Sequence, residues 1–210
     1  MKTRVLIFTF AGLCAAYAAV CLFSVPSPVR VTFKALPIVL LFFNTLYETF
    51  RFGDRSRLLM AAALLFSASG DVSGGFLKMG IFFAMAHCFY IVAYCRHFCL
   101  KEAKQWVCLA ILLLMATGMM SVVFPAFVRS SPGGVMLAVG IVYALLLIAM
   151  PFAAISQSRP HWILFAAGSL LFFVSDNTIF INAYLVEVPA RHLIVMSTYY
   201  SAQLLMNLKA

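Results

Sequence analysis

Two aspartates stand inside long apolar runs of this chain. Asp71 lies in Phe66-Ser-Ala-Ser-Gly-Asp-Val-Ser-Gly-Gly-Phe76, and Asp176 in Gly168-Ser-Leu-Leu-Phe-Phe-Val-Ser-Asp-Asn177, where Ser175 and Asn177 flank it. A carboxylate near the centre of a bilayer costs several kcal/mol, so one that persists faces a bundle interior or a wet cavity. Its use there is either to cap or bond a neighbouring helix or to do chemistry. Two such acids, each expected past the middle of its helix, favour chemistry. A buried carboxyl pair can share one proton and so supply a general acid and a general base, titrating as a unit.

Other polar residues have the spacing to join them. His87, Tyr90 and Tyr94 fall at i, i+3 and i+7, one face of a helix, and Tyr200, Gln203 and Asn207 repeat that spacing beside Tyr199 and Ser197. Lys34, Leu41 and Glu48 form a stripe flanked by Pro37 and Asn44. Lys34 is expected at the outer mouth of its helix and Glu48 near the opposite interface. Tyr94, Asn207 and Glu48 stand close enough to helix ends to be ordinary interfacial residues. A lone buried histidine is usually a packing residue; beside a carboxylate, His87 becomes a hydrogen-bond partner or proton carrier. Metal binding is the rival use of such a cluster, but His87, His97, His161 and His192 show no HxxxH or HExxH spacing. The six cysteines include no CxxC pair; Cys88, Cys95 and Cys99 share a stripe near His87 and read as small packing residues. No metal and no cofactor is expected.

The elements that must position these groups are set by composition. The chain has 210 residues, of which 65% are hydrophobic and 10% charged, whereas soluble domains sit nearer half apolar and a quarter charged. The apolar material comes in runs of roughly 18–25 residues, enough to cross about 30 Å of hydrocarbon as helices. These runs do not alternate, which excludes barrel strands. The expectation is an all-α polytopic membrane protein, a bundle of eight transmembrane helices forming a single integral membrane domain over 1–210. The spans are placed at about 4–24, 33–50, 58–76, 79–99, 105–127, 134–155, 161–184 and 191–208, punctuated by Pro26-Ser27-Pro28, Phe52-Gly53-Asp54, Ser131-Pro132-Gly133-Gly134 and Arg159-Pro160. Lys2, Arg4 and the small residues Ala15–Ala19 imitate a signal peptide, but the stretch has full span length and reads as a retained first helix.

The net charge of +9 lies in short connections with no basic face, so nucleic acid is excluded and the charges read as topology determinants and anionic-lipid contacts. Ten Lys and Arg fall on the N-terminal side of the expected membrane and five on the other, which places both termini in the cytoplasm, with a bacterial inner membrane as the expected location. Asp71 and Asp176 are 105 residues apart, half the chain, and Leu64-Leu65-Phe66 precedes one much as Leu170-Leu171-Phe172 precedes the other. This hints at a weak parallel 4+4 repeat.

Five motifs run in order through most of the chain: Lys34-x-x-Pro37, Gly70-Asp71, Gly80-x-x-Phe83-x-x-x-His87-x-x-Tyr90, Gly168-x-x-x-Phe172-x-x-Ser175-Asp176 and Tyr199-Tyr200-x-x-Gln203. The series resembles the YhhN-type family of membrane proteins, which includes the animal lysoplasmalogenases. The stretch from Asp71 to His87 is shorter than that family's pattern, which predicts a tight turn between the third and fourth spans.

The resemblance implies an intramembrane hydrolase that cleaves the vinyl ether bond of a lysoplasmalogen or related lysolipid. The products would be a fatty aldehyde and a glycerophospho-base. Asp71 and Asp176 would be the catalytic pair. Lys34 would hold the phosphate, Tyr90, Tyr200 and Gln203 would position water or glycerol oxygens, and His87 would relay protons. Asn44, Ser175, Asn177 and Tyr199 would support them. The partners implied are a lysophospholipid substrate and membrane lipids. A proton-coupled transporter or lipid-binding protein using the same aspartates is the alternative, although no helix reads as clearly broken by Gly or Pro at mid-membrane.

Overall fold

The computed structural model describes residues 3–23, 26–100, 102–130, 133–159 and 161–208. Among these, eight α-helices follow one another: α1 (Thr3–Leu22), α2 (Ser27–Phe52), α3 (Arg55–Val72), α4 (Phe76–Cys95), α5 (Ala103–Arg129), α6 (Gly134–Ile155), α7 (Trp162–Tyr184) and α8 (Arg191–Asn207). Each expected span corresponds to one helix. The largest shift is at α2, which begins at Ser27 and not near 33, because Pro28 fits the first helical turn, where its missing N–H has no helical partner to lose. The predicted tight turn is present: only Ser73, Gly74 and Gly75 separate α3 from α4, and Gly75 takes a φ of 91° that side chains resist.

Six of the eight helices are long and apolar enough to cross a membrane. The other two are α3 and α8. α3 carries three charged residues, Arg55, Arg57 and Asp71, and α8 is the shortest of the eight at 17 residues. The protein is an integral membrane protein of helical type.

The helices fall into two compact units, Met1–Ala93 with Asn207–Ala210, and Tyr94–Met206. The division comes near the end of α4. In the first unit α2 packs along α3 and against α1. Two ion pairs share one antiparallel register on the α2–α3 seam: Lys34 meets Asp71 at 2.9 Å, and fourteen residues further along α2 Glu48 meets Arg57 at 2.7 Å. The same register brings Leu41 level with Leu64, and both are fully buried. Asp54 caps α3 by accepting from the Ser56 N–H at 2.8 Å. On the other side of α3, Phe66 packs its ring on Phe82 and Phe89 of α4, and the Phe83 ring lies over Gly70, 3.0 Å from where a Cβ would stand.

In the second unit α6 packs on α7 and α5. The segment after α4 and the one after α6 are paired: Cys99 N–H donates to the Ser156 carbonyl at 2.7 Å and Ser158 N–H to the His97 carbonyl at 2.9 Å. Alternate connections of an up-and-down bundle share one face, as this pairing requires. α7 and α8 approach closely at Gly168. A Cβ on Gly168 would meet Met206 Cγ at 2.6 Å and the Ala202 carbonyl oxygen at 2.9 Å. Between membrane helices, where lipid is as apolar as any side chain, such small residues permit the backbone contact that holds the pair. Gly168→Val drives a branched side chain against backbone, and a loss of about 1–3 kcal/mol is expected. Unfolding of the purified protein by titration into denaturing detergent measures it; wild-type stability in this variant would contradict the contact.

Candidate functional site

The sequence candidates sort by unit. Lys34, Asn44, Asp71, His87 and Tyr90 belong to the first, and Ser175, Asp176, Asn177, Tyr199, Tyr200 and Gln203 to the second.

In the first unit the centre is Asp71. It occupies the last turn of α3, and its side chain is 1% exposed. Lys34, early in α2, reaches it at 2.9 Å while keeping 23% of its own side chain accessible. That geometry follows from the antiparallel register, which sets the start of α2 beside the end of α3. A half-buried lysine can match a buried carboxylate and still present an N–H to a ligand at the mouth. Tyr17 of α1, buried at 3% exposure, lies within electrostatic reach of the same carboxylate. Asn44 is buried on the α2 face that carries Leu41 and Glu48.

The α4 candidates are all buried. His87 is fully buried, and its Nδ1 donates to the Phe83 carbonyl of its own helix at 2.8 Å. A carbonyl only accepts, so Nδ1 carries the hydrogen and Nε2 is the acceptor of the neutral ring. Tyr90 is fully buried, and its hydroxyl accepts from Asn207 Nδ2 at 2.9 Å. Asn207 and Glu48 are therefore not the ordinary interfacial residues that their places near helix ends imply. One bonds a tyrosine, the other pairs with Arg57, and both are buried. Tyr94 is likewise buried, its ring 5.7 Å from that of Phe165.

In the second unit the centre is Asp176, 4% exposed. The hydroxyl of Tyr143 donates to its Oδ2 in a short hydrogen bond between α6 and α7. Tyr143 is absent from the sequence candidates, yet it had a signal. It is the single polar side chain in α6, and it stands near mid-helix, away from the interfacial belts where tyrosine is ordinary. Ser175 donates to the Val195 carbonyl at 3.3 Å, tying α7 to α8, whereas Asn177 bonds back to the Phe173 carbonyl of its own helix at 2.7 Å. On α8, Tyr199 sets its ring edge-on to Phe172 at 5.5 Å and beside Tyr200, while Gln203 is fully buried.

The two aspartates do not occupy equivalent places along their helices. Asp71 is one residue from the end of α3, and Asp176 is eight from the end of α7. The sequence expectation of equal placement took α3 to run to 76, whereas the Ser73–Gly75 turn ends it at Val72.

Among the described residues, fold and site together define a helical membrane protein with two buried aspartates, each held by a side chain from an adjacent helix. Comparison with known proteins makes the class specific: the model of the YhhN family matches residues 29–210, and the chain belongs to that family. It is 31% identical to the lysoplasmalogenase TMEM86A of Homo sapiens over 201 residues, 89% of this chain and 80% of that protein. The Bos taurus protein of the same name is 30% identical over 203 residues, again 89% and 80%. A shorter stretch of 69 residues is 38% identical to the lysoplasmalogenase TMEM86B of Homo sapiens, covering 32% of this chain and 28% of that one. No solved structure matches the chain.

Removing one partner of a buried ion pair leaves an uncompensated charge, whereas removing both is nearly neutral. Lys34→Met is accordingly expected to cost about 1–3 kcal/mol, discounted for the partial exposure of the lysine, and Lys34→Met with Asp71→Asn to recover most of it. Unfolding of the two single variants and the double closes the cycle; additive losses would remove the pairing.

Proposed function

We propose that this protein is an intramembrane hydrolase of ether lysolipids. It cleaves the vinyl ether bond of a lysoplasmalogen, or of a related lysolipid, with Asp71 and Asp176 as its acid–base groups. The observation that carries the activity is similarity over 89% of the chain to proteins named lysoplasmalogenases. The two partnered carboxyls support the mechanism.

Vinyl ether hydrolysis begins with a proton delivered to the outer alkene carbon, which leaves an oxocarbenium ion at the carbon bonded to oxygen. Water adds there and loses a proton, giving a hemiacetal. Collapse of the hemiacetal breaks the carbon–oxygen bond, releasing the aldehyde and the glycerol hydroxyl for one water consumed. A catalyst needs a carboxylic acid to protonate carbon and a negative group to stabilise the cation and take the proton from water. Asp71, paired with Lys34, is suited to carrying negative charge. Asp176, buried and accepting from the Tyr143 hydroxyl, is held in a fixed place from which to exchange a proton. Lys34, with part of its side chain accessible, has donors left for a phosphate. Tyr90, Tyr199, Tyr200 and Gln203 supply hydroxyls and an amide for water and glycerol oxygens. His87 can relay protons, and Asn44, Ser175 and Asn177 support the helices that hold the acids.

Asp71→Asn and Asp176→Asn keep shape and remove the proton chemistry. Each is expected to lower the rate of aldehyde release from a purified lysoplasmalogen by about 100-fold or more in protein that still folds, Asp71→Asn with some loss of stability because Lys34 is left without its carboxylate. Normal turnover in either well-folded variant would remove that residue from the mechanism. The proposed topology, both termini in the cytoplasm of a bacterial inner membrane, makes a C-terminal green fluorescent protein fusion bright and a C-terminal alkaline phosphatase fusion inactive. The reverse pair of signals would invert the topology.

A further inference from the structure

An apolar groove, open on one side, runs between α5, α6 and α7, wholly inside the second unit. Its lining is apolar but for Asn177, the pattern of small-ligand sites, which are mostly apolar with a few placed polar groups. Met119 and Val123 line it from α5, Ala144 and Leu147 from α6, and Asn177 and Phe180 from α7.

Two features set this groove apart from a chance furrow on a lipid-facing surface. The first is its join to the acid. Asn177 follows Asp176 directly, and the Phe180 wall stands 5.8 Å, ring to ring, from Tyr143, whose hydroxyl holds that carboxyl. On α6, positions 140, 144 and 147 line the groove, and 143 falls on the same helix stripe, one turn from both 140 and 147. The second feature is its closed end. The Phe127 ring lies over Gly140, 2.9 Å from where a Cβ would stand, and 4.9 Å from the Tyr184 ring. From Met119 to Phe127 the helix rises roughly 12 Å, which matches a stretch of one extended hydrocarbon chain and ends it at a wall.

We propose that this groove seats the hydrocarbon chain of the single-chain ether lysolipid, with the ether end of the chain toward Asp176. The assignment rests on the hydrolase reading for the identity of the lipid and on the join to Asp176 for its direction. That reading has a single-chain substrate, so a diacyl lipid with its second chain is expected to compete poorly.

The test uses the full chain in detergent and a lysophospholipid with a saturated alkyl ether, which no vinyl ether chemistry can cleave, carrying a diazirine on its chain. Photolabelling is expected to concentrate on α5 between Met119 and Phe127 and on Phe180. An excess of unlabelled alkyl lysophospholipid should displace it and a diacyl phospholipid should not. Label spread over outward residues such as Ile111 and Leu114, or displaced by neither lipid, overturns the proposal. Filling the groove from α6 gives a second reading. Ala144→Leu, and more so Ala144→Trp, should lower the ratio of kcat/KM for a long alkenyl chain to that for a short one by about tenfold. An unchanged ratio in a folded variant overturns it equally. Groove labelling with no aldehyde release by the wild-type protein would defeat the hydrolase reading and leave the lipid site. Aldehyde release with labelling elsewhere would do the opposite.

Discussion

In hydrocarbon a charged side chain has no water to fall back on, so it must find its counterpart within the protein. The α2–α3 seam is built on that requirement. Lys34 with Asp71 at one end and Glu48 with Arg57 at the other have opposite polarity along the same two helices. Sliding one helix by a turn would strand four charges at once, so the register is specified far more sharply than apolar packing of Leu41 and Leu64 alone would specify it. Once α2 and α3 are locked, Asp71 is delivered to the last turn of α3 beside a lysine with part of its side chain accessible, and the turn at Ser73–Gly75 sends α4 back along α3.

The second unit is held by other means. It has a close backbone approach of α8 to α7 at Gly168, and its buried carboxyl is matched by a phenol. The two buried aspartates thus stand in different surroundings, one beside a lysine and the other beside a phenol hydroxyl.

Helix count, helix limits to within a few residues, and the membrane class were legible in the residue order, because apolar runs of span length and the loop residues between them are local signals. The tight turn after α3 was legible from the shortness of the segment between Asp71 and His87. Asp71 and Asp176 were legible because a carboxylate in an apolar run is conspicuous without any knowledge of the fold. The motifs around them carried the family, which the matched residues 29–210 now show.

Partnership was not legible. Lys34 read as a residue for the mouth, Glu48 and Asn207 as interfacial, and Tyr143 drew no notice, yet the first pairs with Asp71, the next two bond Arg57 and Tyr90, and the last holds Asp176. Each of these contacts joins different helices, from 9 to 117 residues apart in sequence. Periodicity along one helix shows which face a residue occupies. Which neighbour meets that face depends on register and close approach, and these are set by Gly168, by Gly70 and by charge matching across the seam. The residue order thus determined which groups could react; only the packing of helices decided what each of them touches.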